Sequence, residues 1–151
     1  MNAADLAGLF FLDTNIFVYS FDHQAPEKQQ TARQLIQAAL STQRGIVSTQ
    51  VVQEFLNVAL RRFARPMATS EAREYLRAVL VPLCQHYPSM ALYDRALLLR
   101  EETGFSFYDA LVVAAALESG CSTLLSEDLQ HGRNVQGVAL VNPFADLPAA
   151  S

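Results

Sequence analysis

The chain has 151 residues, of which 51% are hydrophobic and 17% charged, a composition typical of one soluble globular domain spanning residues 1–151. No apolar run reaches the roughly 18 residues that cross a bilayer, and the N-terminal MNAADLAGLFF lacks the basic residues of a signal peptide. A net charge of −4 weighs against general affinity for nucleic acid, although ten of the eleven basic residues are Arg, whose planar guanidinium suits phosphate. Cys84 and Cys121 form no CxxC pair, so we expect buried, reduced thiols in a cytoplasmic protein with no membrane partner.

Apolar patterning predicts strands that alternate with helices along the chain. The run LFFL is typical of a buried strand, and Pro26 suits the first turn of the helix that follows. In chain order the predicted elements are a strand at 9–12, a helix at 26–42, a strand at 46–47, helices at 50–63 and 70–81, a weak edge strand within 81–87, helices at 90–102 and 107–118, and strands at 122–125 and 138–141. This alternation predicts an α/β fold, a three-layer α/β/α sandwich with a central parallel sheet.

Acidic residues lie near the ends of several of these strands. Asp13 directly follows the first strand, Glu54 lies about one turn into the helix after the second, and Asp128 follows the fourth. Ligand sites in parallel sheets form outside the carboxyl ends of the strands, so we expect these acids at one edge of the sheet. Asp109, in the first turn of the helix at 107–118, is expected to point into the same crevice.

Four carboxylates in one crevice repel one another. Two of them about 5 Å apart repel by roughly 3 kcal/mol at an effective dielectric constant near 20. Protonation relieves such repulsion in aspartyl dyads, but at neutral pH a hard divalent cation such as Mg²⁺ or Mn²⁺, which prefers oxygen ligands, relieves it better. The chemistry that such a site serves is metal-assisted hydrolysis of a phosphodiester, because no Ser/His or Cys/His arrangement at a strand end offers a competing nucleophile.

The segments around the four acids carry a pattern that covers about residues 9–142. In order they are FLDTNIFVY around Asp13, QVVQEFLNV around Glu54, SFYDALVVAAAL around Asp109 and LLSEDLQHG around Asp128. Together they resemble the four motifs of PIN domains, and most of all the VapC-type ribonucleases of bacterial type II toxin–antitoxin pairs. The resemblance implies a Mg²⁺- or Mn²⁺-dependent endoribonuclease that cleaves RNA and binds the metal through this catalytic acidic quartet.

The resemblance also implies accompanying polar residues and protein partners. The polar residues are Thr14, Asn15 and Ser126, and the partners are a cognate antitoxin and a second copy in a homodimer. The antitoxin is expected over the helices at 50–63 and 70–81, where the sequence contributes the apolar positions Val58, Leu60 and Phe63. Some family members carry a further acid where this chain has Gln130, and Glu127 is a less favoured ligand, so the number of metal ions, one or two, stays open.

Other interpretations attach to individual residues. Asp13 is also a good N-cap for a short helix starting at Asn15, and Ser106 with Asp109 fits a capping box. Arg61, seven residues after Glu54 and on roughly the same helical side, is a candidate phosphate contact. The histidines, His23, His86 and His131, show no ligand spacing and are expected on the surface or in loops.

Two other functions compete with a nuclease. A PIN-like module without catalysis would use the same crevice only to bind nucleic acid or a protein. A haloacid dehalogenase-type phosphatase would need a second Asp at position 15 and a downstream Lys, whereas this chain has Asn15 and only Lys28.

Overall fold

The computed structural model describes residue 2 and residues 5–148 of the chain. These residues fold, in chain order, into β1 (Phe10–Leu12), α1 (Thr14–Tyr19), α2 (Pro26–Thr42), β2 (Gly45–Ser48), α3 (Thr49–Arg61), α4 (Thr69–Tyr75), a π-helical turn (Leu76–Leu80), α5 (Val81–Leu83), β3 (Cys84–His86), α6 (Met90–Thr103), α7 (Phe107–Glu118), β4 (Thr123–Leu125), β5 (Asn134–Val135) and β6 (Val138–Val141).

One six-stranded sheet forms the centre of the fold, with the strand order β3-β2-β1-β4-β6-β5. Every neighbouring pair is parallel except β5 and β6, which are antiparallel. All three residues of β1 are fully buried, because helices cover the sheet. The predicted α/β fold with a central parallel sheet is confirmed, and β1 lies in the middle of it, where the chain reverses its direction of strand addition.

The close packing of α2 against β2 depends on Gly45. A Cβ atom at this position would lie 2.1 Å from the Cβ of Ala39 and 2.8 Å from its Cα. Only a residue without a side chain therefore lets the helix approach the first residue of the strand this closely. The sequence predicted this strand at 46–47, and the structure shows that it begins one residue earlier, at Gly45, where only glycine fits.

Two of the strands differ from the predictions. Residues 81–83, placed in a weak edge strand, are helical, because Pro82 sits in the first turn of α5, where its missing N–H costs no hydrogen bond. The strand at this edge is shorter, Cys84–His86. Strand β5 was not predicted; it is two residues long and turns into β6 through Gln136 and Gly137, which both have positive φ.

The prediction for His86 was wrong. It lies in β3, is only 7% exposed, and its Nε2 is 2.8 Å from Glu118 Oε1. Its partner is thirty-two positions away in the sequence, so no local pattern reveals the pair. Both cysteines are free; Cys121 is buried, as expected, whereas Cys84 is only half-buried. Among the described residues, no helix is both long and apolar enough to cross a membrane.

Candidate active site

Asp13 is the buried centre of the candidate site. Its backbone N–H donates to the Leu125 carbonyl at 3.0 Å, which ties the end of β1 to the end of β4. Its side chain caps α1 by accepting the Thr14 N–H at 2.8 Å, so the expected N-cap role is present, with the helix starting at Thr14. The second carboxylate oxygen accepts the hydroxyl of Ser126 at 2.7 Å.

Ser126 joins Asp13 to Asp128. Besides donating to Asp13, its buried hydroxyl accepts the Asn15 amide at 3.3 Å and the Asp128 backbone N–H at 3.1 Å. The same Asn15 amide donates to Asp128 Oδ2 at 3.1 Å. Because a hydroxyl has one donor and two acceptor positions, Ser126 is fully used. The two acids are therefore held in a fixed relation by the Asn15 and Ser126 side chains.

Thr14 joins Glu54 to the same site. Its hydroxyl donates to Glu54 Oε2 at 2.8 Å, and Gln50, one turn earlier on α3, donates to Glu54 Oε1 at 2.9 Å. The Gln50 amide also lies 3.5 Å from the Tyr108 carbonyl, so the first turns of α3 and α7 are in contact. Gln50 was not singled out from the sequence, although its position four residues before Glu54 on one helix is the signal that could have found it.

Asp109 and Arg61 are less closely connected to the other residues. Asp109 is half-buried in the first turn of α7, where its backbone N–H donates to Ser106 Oγ at 3.2 Å, the capping contact expected from the sequence. Among the described residues its carboxylate accepts no hydrogen bond that would tie it to the rest of the site. Arg61 is exposed in the last turn of α3 and, among the described residues, makes no ion pair.

Glu127 is bound away from the other acids. Its carboxylate accepts the Tyr19 hydroxyl at 2.6 Å and forms an ion pair with Lys28 at 2.8 Å. His131, further along this loop, is exposed and its Nδ1 accepts the Asn142 backbone N–H at 2.9 Å. The side chains of Glu127 and His131 are therefore engaged with groups other than Asp13, Glu54 and Asp128.

The electrostatics of Asp13 reflect its burial. Loss of water raises the pKa of the Asp13 carboxyl from 3.8 to about 6. The hydrogen bonds from Ser126 and Thr14 lower this pKa, and the negative charges of Glu54 and Asp128 raise it. Burial and repulsion together outweigh the hydrogen bonds, so the ionised Asp13 is held at a cost in free energy.

The donor set fits a hard divalent cation in its chemistry. The polar atoms around Asp13 are carboxylate and hydroxyl oxygens and amide groups, and the buried charge of Asp13 is repelled by two nearby acids. In this conformation no three Asp, Glu, His or Cys side chains of residues 2 and 5–148 stand in a geometry that could hold a metal ion. The carboxylates of Asp13, Glu54 and Asp128 accept hydrogen bonds from protein donors instead.

The sequence model of the PIN domain matches residues 10–134, which include all four acids. The chain belongs to the PIN-domain family. This PIN domain is also 33% identical, over 126 residues, to "Ribonuclease VapC7" of Mycobacterium tuberculosis, an alignment that covers 80% of this chain and 82% of that protein. The resemblance read from the four motifs is thereby confirmed.

Solved structures share the fold of this PIN domain. A toxin–antitoxin complex from Klebsiella pneumoniae matches with a TM-score of 0.63 at 20% identity, covering 88% of this chain and 96% of that one. FitAcB from Neisseria gonorrhoeae matches with a TM-score of 0.59 at 17% identity, covering 91% and 99%. VapC20 from Mycobacterium tuberculosis, described as a sarcin–ricin loop cleaving toxin, gives 0.52 at 18%, covering 79% and 91%.

Proposed function

We propose that this PIN domain, taken as one domain over the whole chain, is a divalent-metal-dependent endoribonuclease that hydrolyses RNA phosphodiester bonds. The observation that carries the proposal is the buried carboxylate of Asp13 at the carboxyl end of the central strand. The negative charges of Glu54 and Asp128 raise the pKa of this carboxylate. A fold does not determine a function, so this site, and not the fold, supports the proposed reaction. The ribonuclease named among the relatives supports the same reaction.

The cation, Mg²⁺ or Mn²⁺, would be held by Asp13, Glu54, Asp109 and Asp128. When bound, it would supply a water of lowered pKa and neutralise the charge that develops on the phosphate. A carboxylate offers about four acceptor positions, so the two hydrogen bonds to Asp13 leave acceptor positions free. The residues that support these ligands and orient them are Thr14, Asn15 and Ser126.

Of the predicted site residues, Asp109 needs a change from the conformation described, and Arg61 needs a role outside the cation site. Asp109 must turn its carboxylate toward the other three acids, from a helix whose first turn already contacts Gln50. Arg61 is about 10 Å along α3 from Glu54, given a helical rise of about 1.5 Å per residue. We assign Arg61 to the RNA backbone beside the site, since that distance is too long for a group bound at the cation.

Protein partners belong to the same proposal. The structure from Klebsiella pneumoniae, which is described as a toxin–antitoxin complex, supports a cognate antitoxin, expected over α3 and α4. Of the apolar positions on this surface, Leu60 is exposed, whereas Phe63 is partly buried against Phe21 at a ring distance of 5.4 Å.

Self-association as a homodimer is supported by the exposed apolar side chains on α6, such as Met90, which is 82% exposed. A monomer in sedimentation at micromolar concentration would count against the dimer.

The test of the proposed reaction is cleavage of total RNA by the purified protein. We expect cleavage with Mg²⁺ or Mn²⁺, loss of cleavage in EDTA and recovery when Mn²⁺ is added in excess. Asp13→Asn should lose more than the roughly 10–100-fold that loss of a residue supporting a metal ligand costs. Glu74→Gln is the matched control, because Glu74 is an exposed acid on α4 that pairs with Arg77. Cleavage that survives both EDTA and Asp13→Asn refutes the proposal.

A second candidate function is a PIN-like module that binds nucleic acid or protein without catalysis. It is favoured by one observation, the absence of a ready metal-holding group of three side chains among the described residues. This function predicts a wild-type protein that binds RNA or a partner yet leaves RNA intact at every metal concentration. The same cleavage experiment therefore separates the two functions.

A further inference from the structure

Lys28 on α2 is the only lysine of the chain, and it is bound to the residue next to Asp128. Its Nζ lies 2.8 Å from Glu127 Oε2 and 3.3 Å from the Tyr19 hydroxyl. The side chains of Lys28 and Glu127 are 26% and 27% exposed, so about three quarters of each is removed from water. An ion pair buried to this extent is costly to break, because removing one partner leaves the other charge unpaired.

Glu127 is held through both its side chain and its backbone. Lys28 binds one carboxylate oxygen, the Tyr19 hydroxyl binds the other at 2.6 Å, and the Glu127 backbone N–H donates to Asn15 Oδ1 at 3.3 Å. The Asn15 amide donates in turn to Asp128 Oδ2. Lys28 is therefore connected to Asp128 through the side chain of Glu127 and the peptide bond between Glu127 and Asp128.

Aromatic rings hold the ammonium group of Lys28 in place. Its Nζ lies 4.7 Å from the centroid of the Tyr19 ring and 5.8 Å from that of Phe144, and these two rings meet edge to face at 5.0 Å. Cation–π attraction adds to the ion pair at such distances. We call Lys28, Glu127, Tyr19 and Phe144 the Lys28 anchor. It connects α1, α2, the loop after β4 and the C-terminal segment.

We propose that Lys28 is a positioning residue for the cation site, which it serves by binding Glu127 and so fixing the loop that presents Asp128. The inference rests on the proposed function. Asp128 is exposed and lies on a loop, so little packing supports its hydrogen bonds with Asn15 and Ser126, which orient it toward Asp13. Lys28 adds a constraint on this loop from outside the ligand set, as residues that orient metal ligands commonly do.

The test compares variants by Mn²⁺ affinity in calorimetry and by amide hydrogen exchange in the metal-free protein. Lys28→Met should weaken Mn²⁺ binding about tenfold, and it should reduce exchange protection at residues 126–128 while leaving β1 and β4 protected. Lys28→Arg, which keeps the ion pair, should stay near wild type. Arg77→Met, which breaks the exposed pair with Glu74, is the matched control and should change neither measurement.

A double-mutant cycle tests whether Lys28 acts through Glu127. Glu127→Ala should weaken Mn²⁺ binding as Lys28→Met does, and the double variant should lose no more than either single one. A Lys28→Met protein that melts lower but keeps its Mn²⁺ affinity and its protection at residues 126–128 overturns the inference. A wild-type protein that binds no Mn²⁺ refutes the proposed function, and with it the positioning role; unchanged exchange protection in Lys28→Met refutes the anchor on its own.

Discussion

At the scale of single residues, the burial of Asp13 makes its ionised form costly in free energy. Its pKa is raised from 3.8 to about 6, chiefly by burial. A shift of this size corresponds to about 3 kcal/mol, since one pKa unit is worth about 1.4 kcal/mol. Because the folded-state pKa lies above the unfolded one, the proton stabilises the fold. That stability is fully present below about pH 4 and is lost as the pH rises through 6.

This linkage predicts a pH-dependent difference between wild type and Asp13→Asn in EDTA. Between pH 4 and pH 7 the free energy of unfolding of wild type should fall, relative to the variant, by about 3 kcal/mol. Urea denaturation at several pH values measures it, with Glu74→Gln as the control that keeps the wild-type slope. Parallel curves for wild type and Asp13→Asn would show that Asp13 is not the strained carboxylate.

The sequence revealed these site residues to different degrees. Asp13 was predicted from its place directly after an apolar strand, whereas Ser126 was named only through the PIN resemblance. The link of Gln50 to Glu54 was missed although the two residues lie one turn apart on one helix, whereas the link of Lys28 to Glu127 was not predictable, since only the folded backbone brings these side chains together. The link between Lys28 and Glu127 spans almost a hundred positions in the chain.

At the scale of secondary-structure elements, the contact between α2 and β2 depends on the missing side chain of Gly45. Gly45→Ala places a Cβ at 2.1 Å from that of Ala39, so the helix must move outward from the sheet. Overpacking of this kind costs about 1–3 kcal/mol or more. Chemical denaturation should show that loss. Adding Ala39→Gly should recover part of it, although glycine within a helix itself costs about 1 kcal/mol. A Gly45→Ala protein as stable as wild type would contradict the packing described.

Elements with a strong periodicity of apolar residues were predictable from the sequence, and elements with a weak pattern were not. The helix predicted at 107–118 has the same bounds as α7, because Ser106 caps its start and its apolar residues are almost continuous. The helix predicted at 70–81 breaks into α4 and the π-helical turn, in which Val81 N–H donates to Leu76 O, five residues back. One additional residue in a turn leaves the apolar spacing nearly unchanged, so periodicity does not reveal it.

At the scale of the whole molecule, the net charge of −4 is consistent with a cation-dependent nuclease. Glu54 and Asp128 lie close enough to Asp13 to raise its pKa, and a divalent ion would offset these charges. Of the ten arginines, Arg61 makes no ion pair among the described residues and is the one assigned to phosphate. The net charge therefore indicates little about the binding partner, whereas the positions of the charged residues in the fold indicate more. The fold class was predictable from strand–helix alternation, but the conformation of Asp109 was not, because it depends on how α7 is oriented against α3.

The central claim is that a divalent cation is bound jointly by Asp13, Glu54, Asp109 and Asp128. Calorimetric titration of Mn²⁺ into wild type and into the four single amide variants, Asp13→Asn, Glu54→Gln, Asp109→Asn and Asp128→Asn, tests it most directly. Glu74→Gln is the control with an equal change of net charge. We predict saturable binding to wild type and to the control, and weaker binding to each of the four variants. A wild-type protein that binds no Mn²⁺, or four variants that bind it as wild type does, would contradict the claim.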